Sequence, residues 1–136
     1  MVENASRLTT ASGEKIPLRR KLTCKNFGIY VATCTICKAQ YVGQTITEFR
    51  KRWNNHRHTW KSFFVNGEGV EKSALLQHYV KHHEITLTTN PELENSFKVI
   101  FVEEPPVESL DVHENLWLIR IKATINIQKM ILPQVR

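Results

Sequence analysis

The sequence predicts an α+β domain: a small three-stranded, mainly antiparallel sheet flanked by helices. Three observations predict it. Residues 27–33 and 39–45 are both rich in Ile, Tyr, Val and Thr and flank a short turn, which reads as a hairpin. Residues 97–103 form a further apolar run of strand length, closed by Pro105-Pro106. The stretches between and after these runs carry apolar residues at helical spacing.

At 136 residues and 41% apolar content the chain supports one domain with one modest core. Nineteen Lys and Arg outnumber thirteen Asp and Glu, a formal charge of +6 that favours a polyanionic partner. No stretch approaches the roughly 20 apolar residues that span a bilayer, and the N-terminus lacks the apolar core of a signal peptide, so a soluble intracellular protein without a membrane partner is expected. Three cysteines, two at Cys-x-x-Cys spacing, suit a metal site in a reducing compartment better than a disulfide framework.

Residues 1–23 are polar and end in Leu18-Arg19-Arg20-Lys21, so a flexible basic arm is expected there, with the folded domain over 24–136. In the hairpin, a turn at Thr35-Ile36 would set Cys34 opposite Cys37, Tyr30 opposite Tyr41 and Gly28 opposite Gly43, with both tyrosines on one face. Thr-Ile is a poor two-residue turn, which normally wants Asn or Gly at positive φ, so a metal gripped by the flanking thiolates is expected to hold it.

Thr45-Ile46-Thr47-Glu48 has the form of a capping box, predicting a helix to about Phe64 with Phe49, Trp53, Trp60 and Phe64 on its apolar stripe. Arg50, Lys51, Arg57 and Lys61 surround that stripe with positive charge and are candidate DNA contacts. After the Asn66-Gly67 loop, Ser73 can cap a short helix carrying His78 and ending near His82 and His83. Leu110, Trp117, Leu118 and Ile121 mark the core face of a last helix.

Glu114 falls on that last apolar stripe, where a carboxylate needs a cation, either an Arg or a metal ion. Arg52 and His56 rise from one helix face a turn apart, and an anion such as a phosphate between them relieves the pairing of two basic groups. The order of these residues resembles that of the GIY-YIG nuclease superfamily: Gly28-Ile29-Tyr30, Tyr41-Val42-Gly43 eleven residues on, Arg52-x-x-x-His56, then Glu114. With Cys34 and Cys37 between the two tripeptides, the chain looks closest to the endonuclease domain of Penelope-like retroelements, over roughly residues 24–126.

The resemblance implies a DNA endonuclease acting through one Mg²⁺ or Mn²⁺ on a sheet face that holds both tyrosines. Tyr30 would take the proton of the attacking water and Tyr41 would tune it, while Arg52 and a metal ion on Glu114 offset negative charge. His56 would position water or shuttle a proton. Asn126, in Thr124-Ile125-Asn126-Ile127, is the nearest match to the terminal Asn of the family, although its usual glycine is missing.

Cys34 and Cys37 supply half of a tetrahedral zinc site, and His78 with His83, matching two histidines of the Penelope-like relatives, are taken as the other half. His82 and Cys24 remain alternatives for one position. Four protein ligands imply structural zinc. A non-catalytic zinc-stabilised DNA-binding module explains the charge and the knuckle but not Glu114, and a protein-binding zinc module explains the knuckle alone. A nuclear protein, monomeric or transiently dimeric on DNA, is the expectation.

Overall fold

The computed structural model describes residues 2–3, 7–18, 28–70, 73–83 and 93–126. Its strands are β1 (Val2–Glu3), β2 (Arg7–Thr9), β3 (Lys15–Pro17), β4 (Gly28–Cys34), β5 (Gln40–Thr45) and β6 (Phe97–Glu103), and its helices α1 (Phe49–Asn66), α2 (Ala74–His82), α3 (Leu93–Ser96) and α4 (Leu110–Ile121). An antiparallel sheet of β6, β4 and β5 forms the centre, and β1 adds a two-residue parallel strand beside β6. The α+β class and the three antiparallel strands agree with the sequence reading. No helix among the described residues is long and apolar enough to cross a membrane.

The β4–β5 register differs from the expected one by two residues: Tyr30 lies opposite Gly43 and Ala32 opposite Tyr41. The turn is wider than expected. Cys34 N–H donates to Ala39 O at 2.9 Å and Lys38 N–H to Cys34 O at 3.0 Å, with Lys38 in the left-handed region at φ 67°. A four-residue loop thus replaces the unfavourable Thr-Ile turn. Because side chains alternate along a strand, a shift of two leaves every residue on its predicted face, so the tyrosines still share one side.

Alternation also divides the core. Tyr30, Ala32, Cys34 and Tyr41 pack with Phe49, Trp53 and Trp60 of α1 and with Leu75, Leu76 and Tyr79 of α2. Ile29, Val31 and Val42 face the other way, against Leu110 and Ile121 of α4 and against Leu8 and Ile16. These last two belong to the stretch expected to be an arm, where β2 and β3 form a hairpin whose central residues are buried and Gln40 Nε2 donates to Thr9 O at 2.8 Å. Each of its strands buries a single apolar side chain between exposed neighbours, too little for periodicity to register. Arg19, Arg20, Lys21 and Cys24 lie outside the described residues.

The expected capping box is absent. Thr45 ends β5 opposite Gly28, and its hydroxyl donates to Thr47 O at 3.0 Å; α1 begins after Glu48, which makes no side-chain cap. Ser73 does cap α2 as expected, its Oγ accepting from Leu76 N–H at 3.3 Å.

Candidate active site

Gly43 seats the central tyrosine. The Tyr30 ring lies across it, so that a Cβ on residue 43 would overlap ring carbons and the hydroxyl of Tyr30. Phe49 meets the Tyr30 ring edge-on at 4.8 Å between centroids, Phe101 does so at 6.3 Å, and the Tyr41 ring lies 6.3 Å away. The diagonal cross-strand relation of the two tyrosines follows from the observed register.

Helix α1 brings Arg52 and His56 to these phenols. His56 is buried on the stripe between Trp53 and Trp60, and its Nε2 lies 3.3 Å from Tyr30 Oη. Its Nδ1 lies 3.5 Å from Ser73 Oγ, at the start of α2. Arg52 hydrogen-bonds both phenols, and its buried Nε has no hydrogen-bond partner among the described residues. Burial raises the Tyr30 pKa well above the ordinary phenol value, Tyr41 adds to the rise, and the Arg52 charge and hydrogen bond oppose it. Burial likewise raises Tyr41, again against Arg52. The Arg52 guanidinium loses stability to desolvation but gains more from the two phenols, a net rise that keeps it fully charged.

Glu114 reaches this group from the opposite layer. It is half-buried, and Gln44 Nε2 donates to its Oε2 at 2.5 Å and to Asp111 Oδ1 at 2.6 Å. Its negative charge contributes to raising both tyrosines, so the carboxylate acts across β5 on the same phenols. Tyr30 and Tyr41 thus share one sheet face, while Glu114 comes from α4, whose Leu110 and Ile121 pack on the other face. Gln44 was not singled out from the sequence, since a lone Gln in a strand carries no motif; only its alternation toward α4 could have drawn attention to it. A half-buried carboxylate oxygen is the hard kind of ligand that a divalent ion such as Mg²⁺ takes, one or two from protein with the rest water.

Asn126 bonds to the backbone of β5. Its Oδ1 accepts from Val42 N–H at 2.7 Å and its Nδ2 donates to Val42 O at 2.9 Å, so the carboxamide pairs with the outer edge of β5 as a further strand would. Asn126→Ala should leave both Val42 groups unpaired and cost about 1–3 kcal/mol. Denaturant melts check this, and an unchanged midpoint would show that the pairing adds nothing.

The second cluster lies at the hairpin tip. Cys34 Sγ is 3.3 Å from His83 Nε2 and Cys37 Sγ is 3.2 Å from His78 Nε2, and all four ligand atoms lie within 4.8 Å of one another. A tetrahedral zinc ion with arms of about 2.0–2.3 Å needs ligand edges of roughly 3.3–3.8 Å, so the set fits a zinc ion. Burial holds the His83 pKa down, with neighbouring His82 adding to the effect, which favours the neutral imidazole a metal needs. Burial raises the Cys34 thiol, against hydrogen bonds from the Cys37 and Ile36 backbone. His82 is exposed and stacks on His78 at 5.0 Å without joining the cluster.

Of the candidate DNA contacts, Arg50, Lys51 and Lys61 are exposed and Arg57 is half-buried. Arg50 pairs with Glu48 at 3.0 Å, and Arg57 donates to Asn54 at 2.7 Å. At about 100° per residue, Arg50, Arg57 and Lys61 form one stripe roughly 160° around α1 from Arg52. The helix does not bring them to the flank that carries Arg52.

The family model described as GIY-YIG catalytic domain matches residues 26–110. Neither the curated proteins nor the solved structures contain a match to the chain.

Proposed function

From the membership of this chain in the GIY-YIG catalytic domain family, we propose that it is a DNA endonuclease, hydrolysing phosphodiester bonds with one divalent metal ion so as to nick or cleave DNA. The observation that carries this reading is the convergence on one phenolic oxygen: Arg52 and His56 contact Tyr30 Oη, Tyr41 lies beside it, and the Glu114 charge acts on both phenols.

In the proposed reaction Tyr30, as phenolate, accepts a proton from water while the water oxygen bonds to phosphorus and the bond to the departing sugar oxygen breaks. Arg52 stabilises the phenolate and then the charge that grows on the phosphorane. Tyr41 orders the phenols by hydrogen bonding, and His56 donates or accepts at Tyr30 Oη. Glu114 would hold the Mg²⁺ or Mn²⁺ ion, which when bound would supply Lewis-acid charge to the reaction. Asn126 serves this site at one remove, by holding the edge of β5 between Tyr41 and Gly43.

Zinc at Cys34, Cys37, His78 and His83 is structural in this reading, because four protein ligands leave no place for water. The knuckle between the two tyrosine strands supports kinship with Penelope-like retroelement endonucleases, and DNA as substrate makes the nucleus the place of action. Arg50, Lys51, Arg57 and Lys61 hold duplex phosphates outside the cleavage point, with the protein monomeric or transiently dimeric on DNA.

Supercoiled-plasmid nicking tests the reading. Glu114→Ala should lose Mg²⁺-dependent nicking by about a hundredfold or more, the scale of lost transition-state charge stabilisation, while DNA affinity is largely kept. Equal nicking by wild type and variant would remove Glu114 from the reaction. A folded, zinc-loaded wild type that binds DNA and never nicks would leave the non-catalytic DNA-binding module.

A further inference from the structure

Ser73 belongs to none of the motifs that identify the site, yet it is buried at 3% exposure with its hydroxyl against the imidazole that contacts Tyr30. Its Oγ already accepts from Leu76 N–H as the cap of α2. A hydroxyl carries one proton to donate, and His56 Nδ1 lies within reach of it at 3.5 Å.

We propose that Ser73 is a positioning residue: by donating to His56 Nδ1 it holds the imidazole in the tautomer with Nε2–H, so that His56 donates to Tyr30 Oη. The opposite tautomer would aim an N–H at Ser73 and strand the serine proton in a buried place, which is unfavourable. The direction of the contact decides what His56 can do. With Nε2–H fixed, His56 and Arg52 are both donors to one phenolic oxygen, and two donors favour its deprotonated form. A His56 accepting from Tyr30 would instead hold the phenol in its protonated state.

Sequence contributes the placement. Ser73 lies seventeen positions after His56, so no local spacing joins them; they meet because α2 packs its start against the middle of α1. The middle of α2 carries His78 and its C-cap is His83, both in the zinc cluster, and anchoring there fixes where the cap falls.

This inference rests on the nuclease reading only for its consequence in catalysis, and the test separates the two. Imidazole nitrogen shifts in ¹⁵N NMR of the full, zinc-loaded chain report the tautomer directly, with the His56 signals assigned by their loss in His56→Gln. Wild type should show Nε2 protonated and Nδ1 bare. Ser73→Gly removes the hydroxyl yet caps a helix nearly as well as Ser, so it should mix the tautomers without unfolding α2. Ser73→Thr should restore the wild-type pattern.

In nicking assays Ser73→Gly should lower kcat by about tenfold or more with KM for DNA little changed, since a misdirected imidazole loses most of its catalytic worth. Ser73→Thr should recover it. An Nδ1–H imidazole in wild type, or a tautomer unmoved in Ser73→Gly, would overturn the proposal. An inactive wild type with the expected nitrogen shifts would overturn the nuclease reading and leave the tautomer assignment standing.

Discussion

Tyr30→Phe should abolish metal-dependent nicking, by about 10²- to 10⁴-fold, while the protein folds as before. The ring makes its edge-on contacts with Phe49 and Phe101 through carbon, so phenylalanine keeps the packing that seats it across Gly43. Only the hydroxyl is lost, and with it the acceptor that Arg52 and His56 share. Nicking by the variant at the wild-type rate would exclude Tyr30 as the base. The same substitution has a signature in stability. An unfolded phenol titrates near 10, and burial raises Tyr30 above that in the fold. Above pH ~10 the native state therefore binds more protons than the unfolded chain, and stability falls as pH rises through the raised value. Stability of the wild type should decline more steeply above pH ~10 than that of Tyr30→Phe, in urea melts taken across the alkaline range.

This property also shapes the pH profile of the reaction. A phenol held in its protonated form must give up a proton before it can accept one from water, so nicking should accelerate from neutral toward alkaline pH. Arg52 and the His56 Nε2–H reduce the cost of that step, and Glu114 raises it until a cation neutralises the carboxylate. A requirement for a metal ion would thus have a source in the protein, where burial, Tyr41 and Glu114 disfavour the phenolate and Arg52 opposes them together with His56.

Local chemistry made most of these elements legible. Alternation placed Tyr30 and Tyr41 on one face, and a register error of two residues did no harm because the strand period is two. The stripe of α1 and the Ser73 cap could be read because both depend on residues a turn or less apart. What could not be read depends on contacts distant in sequence. Gln44 bridging Glu114 and Asp111, Asn126 pairing with Val42, and Ser73 against His56 each join residues on separate elements. Thr45 failed as a helix cap for a related reason, since the ladder opposite Gly28 claims it for β5. The β2–β3 hairpin escaped because two apolar residues acquire meaning only once the sheet they cover exists.

Zinc removal should cost the domain on the order of 5 kcal/mol or more, since structural zinc supplies folding energy comparable to the whole stability of a small domain. Four side chains converge at the hairpin tip, two from β4 and its loop and two from the middle and the C-cap of α2. Without an ion, two thiol sulfurs and two imidazoles remain packed within 4.8 Å with little to hold them there. The four-residue loop and the left-handed Lys38 would then relax, and α2 would lose its tie to the sheet. The apolar clusters on both sheet faces survive that loss, so chelation should produce a loosened domain with a lower melting temperature rather than a random chain. Nicking should fall with it, because Ser73 and the Tyr30 strand are held from the same cluster. Cys37→Ser should reproduce the effect of chelation, and added Zn²⁺ should restore the chelated wild type but not the variant. Thermal melts with and without chelator decide the matter: coincident curves would mean that the four residues bind no ion, and that the hairpin stands on its sheet contacts alone.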